Sequence, residues 1–181
     1  DDLLKKENYQ NMLSIVQNMN MIKSQNFCES VTDSHELVSY MMILMNYYCS
    51  QELMANKNGI FRSLKFKEND YNIPEGLSPE IRRFIRIWSS NGSKYILYDE
   101  NEDKRHDMFK FKEYVHITSP IRRLVDLLNI MQIQINFGLI EKNNDVTMFL
   151  EKWINVDAIK YINDTMRSIR KVQNSCALMH K

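Results

Sequence analysis

A chain of 181 residues with 44% hydrophobic content is long enough to bury one real core and is most simply a single globular unit, 1–181. Its formal net charge of +1 leaves no global basic surplus, so any nucleic-acid contact has to come from a local patch. No membrane span is expected, because the longest apolar stretch, Tyr40 to Cys49, is short and broken by Asn46; three widely spaced cysteines, Cys28, Cys49 and Cys176, point to an intracellular, reducing compartment.

Apolar positions from Leu3 through Met12, Val16 and Met19 to Ile22 repeat at helical spacing and predict a first helix. A second is expected from Ser34, its N-cap, to Met54, with the methionine stripe Met41, Met42, Met45 and Met54 buried as core filler rather than lining a groove. Asn56 to Gly59 reads as a turn before a short strand, Ile60 to Leu64. Residues 69–79, with Pro74, Gly76 and Pro79, form the main linker, and Ser78-Pro79 opens a helix through Trp88. After a loop at Ser89 to Ser93 come a short element, Lys94 to Tyr98, and the acidic run Asp99 to Asp103, which reads as a solvated loop rather than a cation site. Phe109 to Thr118 is strand-like, and a helix is expected from Pro120 to Asn136 with Ile121, Leu124, Leu128, Met131 and Ile135 along one side. One long final helix carries Phe149, Trp153, Val156, Ile159, Ile162, Met166, Ile169 and Val172. The fold class is therefore mainly α with a few short strands.

Function is most legible at Tyr114-Val-His-Ile-Thr-Ser-Pro-Ile-Arg-Arg123, followed by Asp126. Ser119 suits an N-cap and Pro120 the first helical position, so the expected helix mouth offers backbone N–H groups and a positive dipole end to an anion. Arg122 and Arg123 add forked donors that match phosphate oxygens. On the local pattern alone, a capped surface helix with solvated arginines is the commoner arrangement. A basic patch could extend the site: Arg167, Arg170, Lys171 and Lys181 face only Asp164, although a solvated helix face accounts for the same charges.

This segment resembles the T-S-P-I-R-R/K signature of the RNB family, the ribonuclease II and ribonuclease R type exoribonucleases, with Tyr114, His116, Ile117, Thr118 and Asp126 at matching positions. His106 falls where many members carry the histidine of an H-F-G-L segment. Residues His35 to Asn46 resemble the family's H-x-L-V-E-E-F-M-L-L-A-N helix, and Gly59-Ile-Phe-Arg62 its A-L-Y-R strand. Ile159 to Cys176 looks like the arginine-bearing helix that closes the domain.

The resemblance implies the C-terminal, helix-rich half of an α/β RNB-like domain, and hydrolysis of single-stranded RNA from its 3′ end. It implies Mg²⁺ held by a D-x-D-D type segment upstream of the His35 helix, so the metal ligands are expected outside this chain, in the remainder of a longer RNB protein or another subunit. Neither Asp1-Asp2 nor Asp99 to Asp103 substitutes for that segment, and no metal ligand is assigned here. Ser39 and Tyr40 stand where the family often has glutamates, which removes a supporting carboxylate. Arg122 matches the arginine used on the scissile phosphate, with Tyr114, His116, Thr118, Ser119 and Arg123 as the surrounding RNA-phosphate-binding residues. Two readings stay open: part of an active 3′–5′ exoribonuclease, or a catalytically inactive RNB-like RNA-binding or scaffold module. A structural protein with neither activity is the bland third.

Overall fold

Two four-residue strands make a ribbon that is marginal in water unless its free edges and faces are covered. In this protein a short sheet of that kind organises the helices around it. The computed structural model describes residues 2–18, 31, 33–66, 76–79, 81, 82, 85 and 92–179. Its elements in chain order are α1 (Asp2–Asn18), α2 (Ser34–Ala55), β1 (Ile60–Ser63), β2 (Lys94–Leu97), α3 (Leu124–Asn136), α4 (Asn144–Trp153) and α5 (Val156–Met179). Mostly helical with two short antiparallel strands, the chain matches the fold class expected from its sequence.

Strand β1 pairs antiparallel with β2, Ile60 opposite Leu97 and Arg62 opposite Tyr95. Its other edge is closed by the stretch before α3: Arg62 N–H donates to the Tyr114 carbonyl at 2.7 Å and Leu64 N–H to that of Arg105 at 3.1 Å. Phe61 bridges Val115, and Leu64 bridges His106. The strand expected over Phe109 to Thr118 is instead a turn at Phe109 and Lys110, the latter at φ +57°, followed by an extended flank with isolated bridges.

Side chains finish what the ladder leaves open. Asn129, buried on α3, accepts the Ile60 N–H at 2.8 Å and donates to the Ile60 carbonyl at 2.9 Å and the His116 carbonyl at 3.1 Å. Asn163 on α5 does the same for β2, taking the Tyr95 N–H at 2.8 Å and giving to its carbonyl at 2.9 Å. Gln132 accepts the Gly59 N–H at 3.0 Å. Gly59 itself has φ +109°, and a Cβ there would lie 3.0 Å from that of Leu53, so the turn into β1 requires glycine.

The core falls in three groups. Leu13 and Val16 of α1 pack with Val31 and with Leu37, Tyr40 and Leu44 of α2. Leu53, Phe61, Ile96, Val115 and Ile117 fill the space between α2 and the sheet. On the other side, Ile60, Tyr95, Val125, Leu128, Leu150, Ile159 and Ile162 join the sheet to α3, α4 and α5.

Several expectations need correction. Asp33, not Ser34, caps α2, its carboxylate accepting the Glu36 N–H at 2.8 Å. Met41 and Met45 are exposed, because α2 turns Leu37, Tyr40 and Leu44 inward and leaves the methionines on another face. The single long last helix is two: Asn155 donates to the Glu151 carbonyl at 2.9 Å at the end of α4 and accepts the Ala158 N–H at 2.9 Å at the start of α5. Pro79, Ile81, Arg82 and Ile85 are helical as expected. The remainder of that helix to Trp88, most of the 69–79 linker, the end of the first helix at Ile22, Cys28 and Lys181 lie outside the described residues. Among the described residues, no helix is long and apolar enough to cross a membrane.

Candidate nucleic-acid interface

Asp126 determines how the two arginines are presented. Its carboxylate is fully buried in the first turn of α3. Oδ2 accepts the Ser119 N–H at 2.8 Å and the Arg123 guanidinium at 2.8 Å; Arg123 Nε lies 2.8 Å from Oδ1 as a charge contact without hydrogen-bond alignment. This capture folds Ser119 to Arg123 into a turn of its own, with the Arg122 and Arg123 N–H groups on the Ser119 carbonyl at 3.3 and 3.1 Å. The helix therefore starts at Leu124, not Pro120, its N-cap is Arg123, and Ile121 projects fully into solvent. The arginines precede the helix, and the carboxylate of Asp126 occupies its first turn.

The pair is divided as a result. Arg123 is held against Asp126, whereas Arg122 is exposed and, among the described residues, its guanidinium reaches the Ser119 hydroxyl alone, at 3.4 Å. Both line a cleft of about 180 Å³ whose wall includes Tyr95, Trp153, Tyr161 and Met166. A fork of donors beside aromatic and thioether surface suits a nucleotide, phosphate on one side and base on the other.

The other expected residues sit behind this cleft. Tyr114 is buried, its hydroxyl taking the Asn46 amide at 2.9 Å and its ring near His106, Phe109 and Phe111. Asn46 also accepts the Ile117 N–H at 3.0 Å, so this asparagine ties the His35 to Asn46 segment directly to the Tyr114 to Arg123 segment. His116 Nδ1 lies 2.9 Å from the Tyr95 hydroxyl. Burial, with the charges of Arg123 and Arg62 adding to it, lowers the His116 pKa to about 2, so the ring is neutral. The Thr118 hydroxyl is enclosed and has no hydrogen-bond partner among the described residues. Of the expected phosphate-binding residues, Arg122 and Arg123 line the cleft; Ser119 opens the turn that carries them, and Tyr114, His116 and Thr118 lie in the stretch that leads into it. Tyr40, at a position where glutamate was expected, is a core residue, and Ser39 is exposed.

The acidic loop is turned to cations rather than to a common centre. Glu100 meets Lys57 at 2.7 Å, Glu102 meets Lys94 at 3.4 Å, and Asp103 meets Lys65 at 3.2 Å and Arg105 at 3.3 Å. Lys104 donates to the carbonyls of Asp99 and Glu102. Among the described residues, no group of three or more His, Cys, Asp or Glu side chains could hold a metal ion. The donor set among the described residues does not fit Mg²⁺.

Sequence reading did not single out Tyr95, Trp153, Tyr161 or Arg62 for the site. Arg62 carried a usable signal: it is a lone charge in the strand Ile60-Phe-Arg-Ser63, and it is buried, its guanidinium 4.6 Å from the centre of the Tyr95 ring.

The RNB domain family matches residues 3–137, and the chain belongs to that family. It is also similar to the exoribonuclease II, mitochondrial, of Saccharomyces cerevisiae, 31% identical over an alignment of 109 residues that covers 54% of this chain and 11% of the relative. The match thus spans about a tenth of that relative's length.

Proposed function

We propose that this chain is the C-terminal part of an RNB exoribonuclease that hydrolyses single-stranded RNA from its 3′ end, and that it contributes the phosphate-clamping Arg122 but not the metal-binding aspartates. The observation that carries this reading is the division between the two arginines: Asp126 holds Arg123, leaving the Arg122 guanidinium exposed at a cleft walled by Trp153 and Tyr161. Family membership and the relative's name support the exonuclease class.

In this reading the chain's residues bind and orient, and Arg122 stabilises negative charge as it develops on the phosphoryl oxygens. A guanidinium suits that role better than an ammonium because two of its N–H groups meet two oxygens in one plane. Mg²⁺, where the family's activation of water would lie, is held by the remainder of a longer protein or by another subunit. The chain acts as one unit in an intracellular, reducing compartment, and mitochondria, named for the relative, qualify as one.

The paired carboxylates of the acidic loop favour a second reading for these residues in isolation, an inactive RNB-like module that binds RNA or serves as a scaffold. The test is the full-length protein given 5′-labelled single-stranded RNA and Mg²⁺. Stepwise shortening from the 3′ end supports the exonuclease; RNA that is retained by the protein but stays intact assigns the inactive module.

A further inference from the structure

The geometry points to a second phosphate seat, built by Arg62, Ser93, Arg167, Arg170 and Lys171 around a cavity of about 200 Å³, that takes another phosphodiester of the RNA strand clamped at Arg122. In its choice of RNA it rests on the function proposed above.

An arginine is almost never buried without an anion, since its guanidinium stays charged and desolvation is costly. Arg62 is 7% exposed, and among the described residues no carboxylate pairs with it. Its guanidinium instead lies over the Tyr95 ring. Burial lowers its pKa, and the neighbouring charges of Arg170 and Arg123 lower it further, against an opposing effect of Tyr95. Of the other cations at the cavity, Arg167 approaches Asp164 at 3.4 Å in an exposed pair. Arg170 and Lys171 gain no carboxylate partner among the described residues. Several like charges therefore converge from β1 and α5 on one hollow, a costly arrangement that a bound anion would relieve.

The donor chemistry selects phosphate. Two or more planar forks, an ammonium and the Ser93 hydroxyl can surround a tetrahedral oxyanion, whereas Asn163 has its amide committed to Tyr95 and serves as wall. Continuity selects a nucleic-acid strand. Met166 lines this cavity and the Arg122 cleft alike, and Tyr95 forms one wall of that cleft while its ring carries Arg62. A strand crossing from one hollow to the other would pass over Met166 and the Tyr95 edge.

Two measurements on the full chain test this. In the first, inorganic phosphate is titrated while the arginine Nε–H resonances are followed. The Arg62 and Arg170 signals should move together and saturate, and Arg170→Ala, an exposed and structurally mild change, should abolish the response of Arg62; an unresponsive Arg62 overturns the seat. In the second, binding is measured for single-stranded RNAs bearing one uncharged methylphosphonate linkage at successive positions. Two positions should weaken binding, Arg170→Ala erasing the penalty at one and Arg122→Ala at the other, and Arg170→Ala should make the log–log salt slope shallower by about 0.7. A penalty pattern untouched by Arg170→Ala overturns the second phosphate contact and leaves the Arg122 reading standing. Phosphate binding at Arg62 by a chain that binds no RNA overturns the RNA assignment and the proposed function together.

Discussion

Arg123 and Asp126, three residues apart, meet through two contacts of 2.8 Å, and this pairing fixes the turn that presents Arg122. The carboxylate is fully buried, so removing it leaves a largely enclosed guanidinium and an orphaned Ser119 N–H. Asp126→Ala should cost about 3 kcal/mol, in the range for breaking a buried pair. Asp126→Asn, which can still accept from Ser119, should cost less. Urea unfolding measures both; an alanine variant with an unchanged midpoint would show that the pair does not hold the turn.

Asn129 and Asn163 each close a strand residue's N–H and carbonyl from a neighbouring helix. Leucine at either position keeps the approximate volume but strands those backbone groups. About 2–3 kcal/mol is expected for Asn129→Leu, which is fully buried, and less for the half-buried Asn163→Leu. Hydrogen exchange gives a local signature: the Ile60 amide should lose protection in the first variant and the Tyr95 amide in the second. A uniform loss across the protein in both would contradict this pairing.

Two histidines make stability depend on pH in one direction. Burial, with Arg62 adding, lowers His106 to about 4; burial, with Arg123 adding, lowers His116 to about 2. Both lie below the ordinary value of 6.5, so the unfolded chain takes up these protons first. Their contribution to stability is intact above pH 6.5 and is lost as pH falls from there towards about 4 for His106 and lower still for His116. Each should remove about 1.4 kcal/mol per pH unit while the pH lies well below its unfolded and above its folded pKa. Urea midpoints at pH 7 and 5 should differ accordingly, and His116→Gln should flatten the slope. A midpoint that rises on acidification would contradict the sign.

Much of this architecture was legible because local chemistry and tertiary structure agree there. The turn at Asn56 to Gly59 into β1, the Lys94 element and the helical run from His35 to Asn46 fall where propensity and spacing put them. The misplaced start of α3 has a different origin. Ser119-Pro120 is a sound helix-start signal, but Asp126, seven residues on, takes the Ser119 N–H, and periodicity does not register that bond. Trp153 and Val156 continue a helical spacing across the break, while Asn155 supplies the cap that interrupts it. At the site, the arginines could be found from their signature, but the wall of Tyr95, Trp153 and Tyr161 is assembled from β2, α4 and α5 and has no contiguous motif.

Whether Arg122 acts on a phosphate at this cleft is tested by comparing Arg122→Ala with Arg122→Lys and wild type in the full-length protein. RNA affinity and the rate of 3′-end shortening in Mg²⁺ are measured separately. The alanine variant should lose about 100-fold or more in rate while its affinity falls far less, because the donor's partner charge peaks in the transition state. Lysine should recover only part of the loss. Equal losses in rate and affinity would make Arg122 a binding residue alone, and unchanged rates would show that it does not act on the reacting phosphate.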